Sequence, residues 1–266
     1  MSATLAATRA ELTKIVSARA VWLLSGVIIA LHLLLSAANL GVTSDAVAAI
    51  TPAGTIEIFA GDPRPAHRAL LEYLVSSSFQ MCLFVPGVAA VIAGQEFRSG
   101  QLGQSLLAVP RRGRLIVAKV LAAAGWLVLL SVTIAAISAA ALRLAVNDWD
   151  PGLPVSSGAW SGQAAFLAFS LLTGLTTLAI TVIARSTLIG VVVTVGLAAA
   201  TMTQLVAAVA PFLDALLPMS AGRNLLLDPA VGDLSAGPGH ALAVLLLWPL
   251  VTGTLAWLSV RRRDAR

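Results

Sequence analysis

The sequence predicts an all-α polytopic membrane protein with six transmembrane helices and both termini in the cytoplasm. Three observations lead there. The 266 residues are 58% hydrophobic and only 11% charged, where a soluble domain carries about 25% charged residues. No soluble core of one such chain takes up that much apolar surface, so the bilayer must be the solvent for most of it. Six runs lack Asp, Glu, Lys and Arg: 20–44, 73–95, 120–142, 151–184, 186–213 and 234–260. Each supplies the ~20 apolar residues that a helix needs to cross ~30 Å of hydrocarbon. With the N-terminus inside, the segments facing the cytoplasm hold 13 of the 17 Lys and Arg residues, and the outer segments hold nine of the 12 acids. That bias sets the orientation.

The net charge of +5 does not point to nucleic acid, because the basic residues sit at the ends of apolar runs and not on one face of a soluble domain. The single cysteine, Cys82, lies inside an apolar run and has no partner for a disulfide or a metal site.

In chain order, residues 1–19 place Leu5, Leu12, Val16 and Arg19 at near-helical spacing. They read as an amphipathic helix on the inner membrane surface, ahead of a six-span body over 20–260. The first apolar run is longer than the 7–15 residues of a signal peptide core, and reads as an uncleaved anchor. His32 lies near its middle. A lone ionisable group at that depth is a functional hypothesis; a neutral histidine hydrogen-bonded to a neighbouring helix is the structural alternative. The outer loop 41–72 carries turn signals at Thr51-Pro-Ala-Gly and Gly61-Asp-Pro-Arg-Pro, then a helical stretch over 66–72. The second run contains Gln80 and Pro86; the proline frees a backbone carbonyl and can bend the helix.

The third run is nearly featureless. Beyond it, outer loop 143–157 carries Asp148, Trp149 and Asp150. The fourth helix is expected to begin near Trp160 and is rich in small polar groups, among them Ser170, Thr173, Gly174, Thr176 and Thr177; Gly158 and Gly162 precede them at small-xxx-small spacing. Arg185 and Ser186 make a very short inner turn. The fifth run carries Thr194, Thr201, Thr203 and Gln204. His32, Gln80, Thr177 and Gln204 are the candidates for lining a translocation path. Outer segment 214–238 holds Pro218, Arg223, Asp228, Asp233 and Pro238; its apolar piece 225–227 either dips back into the outer leaflet or packs beneath the loop. The sixth run contains Pro249 and ends in the basic tail 261–266.

Several chemistries are missing. The chain has no Gly-x-x-x-x-Gly-Lys-Ser/Thr loop, so it carries no P-loop ATP site of its own. His-Glu-x-x-His, Gly-x-Ser-x-Gly and Cys-x-x-Cys are absent as well. No Asp, Glu, Lys or Arg lies deep in any run, which disfavours an ion-driven carrier. No catalytic or metal-ligating residue is assigned. Energy for any transport would come from another protein.

The stretch 94–119 is where such a protein would grip. It is the longest mixed polar segment between two apolar runs, with Glu96 and five basic residues: Arg98, Arg111, Arg112, Arg114 and Lys119. Leu102, Leu106 and Val109 fall at i, i+4 and i+7, one face of a short helix that Pro110 ends. A surface helix of this kind fits a groove in a partner and passes a push into the two flanking spans.

Gly94-Gln-Glu-Phe-Arg-Ser-Gly-Gln-Leu, then Leu106-Leu-Ala-Val-Pro-Arg-Arg-Gly-Arg and Lys119, resembles bacterial ABC-2-type transporter permease subunits. Glu11-Leu-Thr-Lys14 ahead of a Trp-bearing first span is similar to the same family. The specific part of the likeness covers about 25 residues. It implies a six-span permease of an ATP-binding cassette exporter in the bacterial cell membrane. It implies a separate cytosolic ATPase subunit that binds ATP and Mg, and a second permease copy, identical or not. It implies a coupling helix over 96–110, with Glu96, Phe97, Arg98, Gly100, Leu102, Leu106, Pro110 and Arg111 as coupling residues. Glu11 and Lys14 would form an N-terminal interface to the ATPase, and 218–227 would form outer-leaflet helical pieces. The alternative is a polytopic membrane enzyme acting on lipid-linked substrates, with the outer acids Asp148, Asp150, Asp228 and Asp233 holding a metal.

Overall fold

The computed structural model describes residues 3–58, 63–81, 83–99, 112–227 and 235–262. Among them, five helical stretches are long and apolar enough to cross a membrane, and a further apolar helix is shorter. The chain is an all-α, membrane-type protein.

Helix α1 (Ala3–Ser17) and helix α2 (Arg19–Ala48) are separated by one extended residue, Ala18. The bend is held by side chains. Trp22 Nε1 donates to the Val16 carbonyl at 2.7 Å, and the Trp22 ring meets Trp126 edge-on at 4.9 Å. Ala7, Glu11 and Ile15 form the buried stripe of α1, while Leu5, Leu12 and Val16 are exposed. The exposed leucines and valine are the apolar face read from the sequence; the opposite face packs along α5 (Arg112–Ala145).

Beyond α2, Gly54 takes a left-handed conformation (φ 73°) in the turn at Thr51, and a two-residue hairpin pairs β1 (Thr55–Ile56) with β2 (Arg64–Pro65). The second span is broken. Helix α3 (Ala66–Met81) ends, and helix α4 (Val85–Ser99) starts anew with Pro86 in its first turn. Proline is tolerated there because a first-turn N–H has no helical acceptor. The proline read as a mid-helix bend therefore sits at a helix start.

Helix α5 is about 51 Å long at 1.5 Å per residue, longer than the ~30 Å hydrocarbon layer. The helix thus begins eight residues before the apolar run at 120, and its first turns carry Arg114 and Lys119. A 3-10 turn (Leu153–Val155) leads into α6 (Ser157–Ala184), capped by Ser156 Oγ on the Ala159 N–H at 3.3 Å. The helix begins three residues before Trp160.

Helix α6 is the centre of the bundle, packing on α3, α4 and α5 and on the later helices. Its small residues explain why. Gly158 and Gly162 lie against Leu71 and Val75 of α3, where a Cβ would come within 2.8 and 2.5 Å of those side chains. Buried threonines return their hydroxyls to their own helix, Thr173 to Phe169 O and Thr181 to Thr177 O at 2.8 Å each. Polar groups are thereby satisfied without a gap between helices.

Arg185 takes the left-handed conformation (φ 53°) that turns the chain into α7 (Thr187–Met202). This helix is about 24 Å long. The fifth run therefore does not continue as one helix to residue 213. Gln204 (φ 52°) breaks it, and α8 (Leu205–Val209), α9 (Pro211–Ala215) and α10 (Pro218–Leu226) follow as short pieces. Helix α10 is buried among α6, α7 and α11 (Pro238–Arg262). Asp214, fully buried, accepts from Ser220 Oγ (2.6 Å), Arg223 Nη2 (2.9 Å) and Ser235 Oγ (2.9 Å), which pins α9, α10 and the following loop together.

Candidate functional site

At the end of the bundle near the termini, four charges from three helices close into a ring. Glu11 and Lys14 stand one turn apart on α1, Glu96 is in the last turn of α4, and Lys119 is two turns into α5. Lys14 Nζ lies 2.5 Å from Glu11 Oε1 and 2.7 Å from Glu96 Oε1. Lys119 Nζ lies 2.7 Å from Glu11 Oε2 and 3.0 Å from Glu96 Oε2. Signs alternate around the ring, and the two oxygens of each carboxylate take different ammoniums.

Burial makes this arrangement consequential. Glu11 is 4% exposed and Glu96 1%. A carboxylate removed from water is costly unless paired and hydrogen-bonded, and losing one partner leaves an uncompensated charge. Burial lowers the Lys14 pKa, but hydrogen bonds to Glu11 and Glu96, with their negative charge, outweigh that and hold it above the ordinary lysine value. The ring has no net charge and fixes α1 to the ends of α4 and α5.

Both lysines of the chain are in this ring, while the other 15 basic residues are arginines. An ammonium is a compact point charge that can bridge two carboxylates from different helices; a planar guanidinium favours bidentate pairing with one. That composition was the available sign that Lys119 belongs with Lys14, and sequence reasoning passed over it.

The ring flanks the segment read as the partner's grip. Of the expected coupling helix over 96–110, residues 96–99 lie in α4, and 100–110 lie outside the described residues. The side chain of Arg98, together with Gly100, Leu102, Leu106, Pro110 and Arg111, lies outside the described residues. Phe97 is half-buried in the last turn of α4. Gly94, one turn earlier, touches Thr187 at the start of α7, where a Cβ would lie 2.7 Å from the Thr187 Cβ and 3.0 Å from its Cα.

The four residues read as lining a path share no hydrogen bond. His32 is buried; its Nε2 is 2.9 Å from Ser138 Oγ and 3.2 Å from Ile134 O of α5. Thr177 is buried and pairs with Thr194 of α7 at 2.9 Å. Gln80 and Gln204 are exposed. Instead, His32 opens a buried polar chain across four helices. Ser138 accepts from Ser78 at 2.8 Å, and Ser78 accepts from Gln163 Nε2 at 3.2 Å. This is the structural alternative for His32 in detail. At the opposite end of the bundle from the ring, Asp150 is held by His67 Nε2 (3.0 Å), and Asp148 accepts from Asn147. Among the described residues no three His, Cys, Asp or Glu side chains gather where a metal could bind; Asp228 and Asp233 lie outside them.

No protein-family model and no curated protein sequence matches this chain.

Proposed function

We propose that this chain is the membrane permease subunit of an ATP-binding cassette exporter of the ABC-2 type, with six spans, both termini in the cytoplasm, and coupling to a separate cytosolic ATPase. The carrying observation is the ring of Glu11, Lys14, Glu96 and Lys119. It joins α1 to the two helix ends on either side of 100–111, so a force applied to that segment or to α1 reaches α4 and α5 together. Helix α7 with the short pieces after it supplies the fifth crossing in this reading. The exposed apolar faces of α2 and α7 are open to lipid or to a second permease copy. ATP and Mg belong to the partner; this chain contributes the path and the lever.

The test replaces Leu102 and Leu106 with Asp in the full-length chain. Loss of the ATPase from the detergent-purified complex, with the permease still folded, is the expected result. Unchanged ATPase association and unchanged nucleotide-dependent turnover would overturn the assigned contact.

A further inference from the structure

A cavity of about 350 Å³ lies between α4, α5, α6 and α11, in the half of the bundle nearest the termini. Among the described residues around it only Glu96 and Lys119 have polar side chains, and both are already paired within the ring. Its walls are otherwise carbon, with Leu172, Leu175 and Leu178 on α6 facing Leu246, Leu250 and Val260 on α11. Along α11 the lining runs from Leu246 to Val260, about 21 Å at 1.5 Å per residue, so the space is long and narrow. Leu246 and Leu250 are also 46% and 68% exposed. The mouth therefore opens on the outer surface of an apolar helix, where lipid tails lie in a membrane.

A polar ligand would find no free hydrogen-bonding partner along these walls, and burying its polar groups unpaired is unfavourable. A void of this size in an apolar wall loses dispersion contacts unless carbon fills it. We infer that this cavity holds one acyl chain of a phospholipid from the leaflet on the side of the termini, entering between α5 and α11 beside the Glu96–Lys119 pair and running along the cavity toward Leu172 and Leu246. The chain packs against the helices that carry the ring, so its presence stiffens that end of the bundle. This inference is independent of the transport proposal, and its test needs no ATPase.

The full-length chain is reconstituted in nanodiscs of phosphatidylcholine, a fraction of which carries a diazirine midway along one acyl chain. After irradiation the labelled residues are mapped. Adducts are expected at buried positions of the cavity wall, Leu178 and Ala179, which lipid on the outer surface cannot reach. Gly253 lines the cavity and a Cβ there meets nothing within 4 Å, so Gly253→Phe fills the space without displacing backbone. In that variant the Leu178 and Ala179 adducts disappear, while adducts on exposed Leu23 and Val27 of α2 persist. Leu175→Phe is a second filler from the opposite wall. Absence of wall adducts in the unaltered chain overturns the inference, as does their persistence in both filled variants.

Discussion

Lys119 Nζ lies 2.7 Å from Glu11 Oε2, although 108 residues separate them. That contact, with its counterpart from Lys14 to Glu96, converts a terminal helix into part of the bundle. The lysine and the glutamate are 13% and 5% exposed as side chains, so water screens the pair little.

Glu96→Gln should destabilise the chain by about 3 kcal/mol, because two ammoniums would then share the single carboxylate Glu11. The double variant Glu96→Gln with Lys119→Met should cost less than the two single changes together, since the second removes a charge that the first left unpaired. Unfolding in mixed micelles, followed by tryptophan fluorescence, reads both. Strict additivity would show that the ring is not a coupled unit.

Lys14 gives a pH dependence of definite sign. Its pKa in the docked chain lies above the ordinary 10.5. Such a group stabilises the docked state fully below the ordinary value and loses that contribution as pH rises through the raised one. Amide exchange in α1, corrected for its intrinsic pH dependence, should therefore show constant protection from neutral pH to 10.5 and falling protection above it. Lys14→Met should abolish the fall along with part of the protection.

Gly94→Ala should cost about 2 kcal/mol, because the new methyl group collides with Thr187 and overpacks the contact between α4 and α7. Gly26→Ala, with open space at its Cβ, should be neutral or slightly stabilising. Equal effects at the two positions would contradict the close approach of α4 and α7.

Ser78→Ala removes the middle of the His32–Ser138–Ser78–Gln163 chain. Gln163 Oε1 already has no partner, and the change would orphan its Nε2 as well. A loss of about 2 kcal/mol is expected, the cost of an unsatisfied buried polar group. Thr133→Ala, an exposed hydroxyl bonded only to its own helix, should change stability little. The same unfolding titration compares them.

The apolar runs and their bounding charges made the long helices legible, because length and hydropathy decide which segments can live in a bilayer. Breaks within runs were not legible. Pro86 reads alike as a kink or a new start, and the strained Gln204 has no sequence marker to distinguish it from the other polar residues of its run. Glu11, Lys14 and Glu96 could be picked out as residues of interest, but their pairing could not. A contact between helices depends on how the bundle packs, which spacing along the chain does not encode. For α1, near-helical spacing found the exposed leucines; the buried stripe was hidden because its centre is a glutamate, which looks like a solvent face until its two lysines are in place.

The most direct measurement is purification of the full-length chain from its native membranes in mild detergent, followed by identification of bound proteins and an ATPase assay. The proposal predicts that a P-loop ATPase comes with the unaltered chain and that Glu96→Gln weakens its retention. A chain that purifies with no nucleotide-hydrolysing companion, and carries out its activity alone, would contradict it.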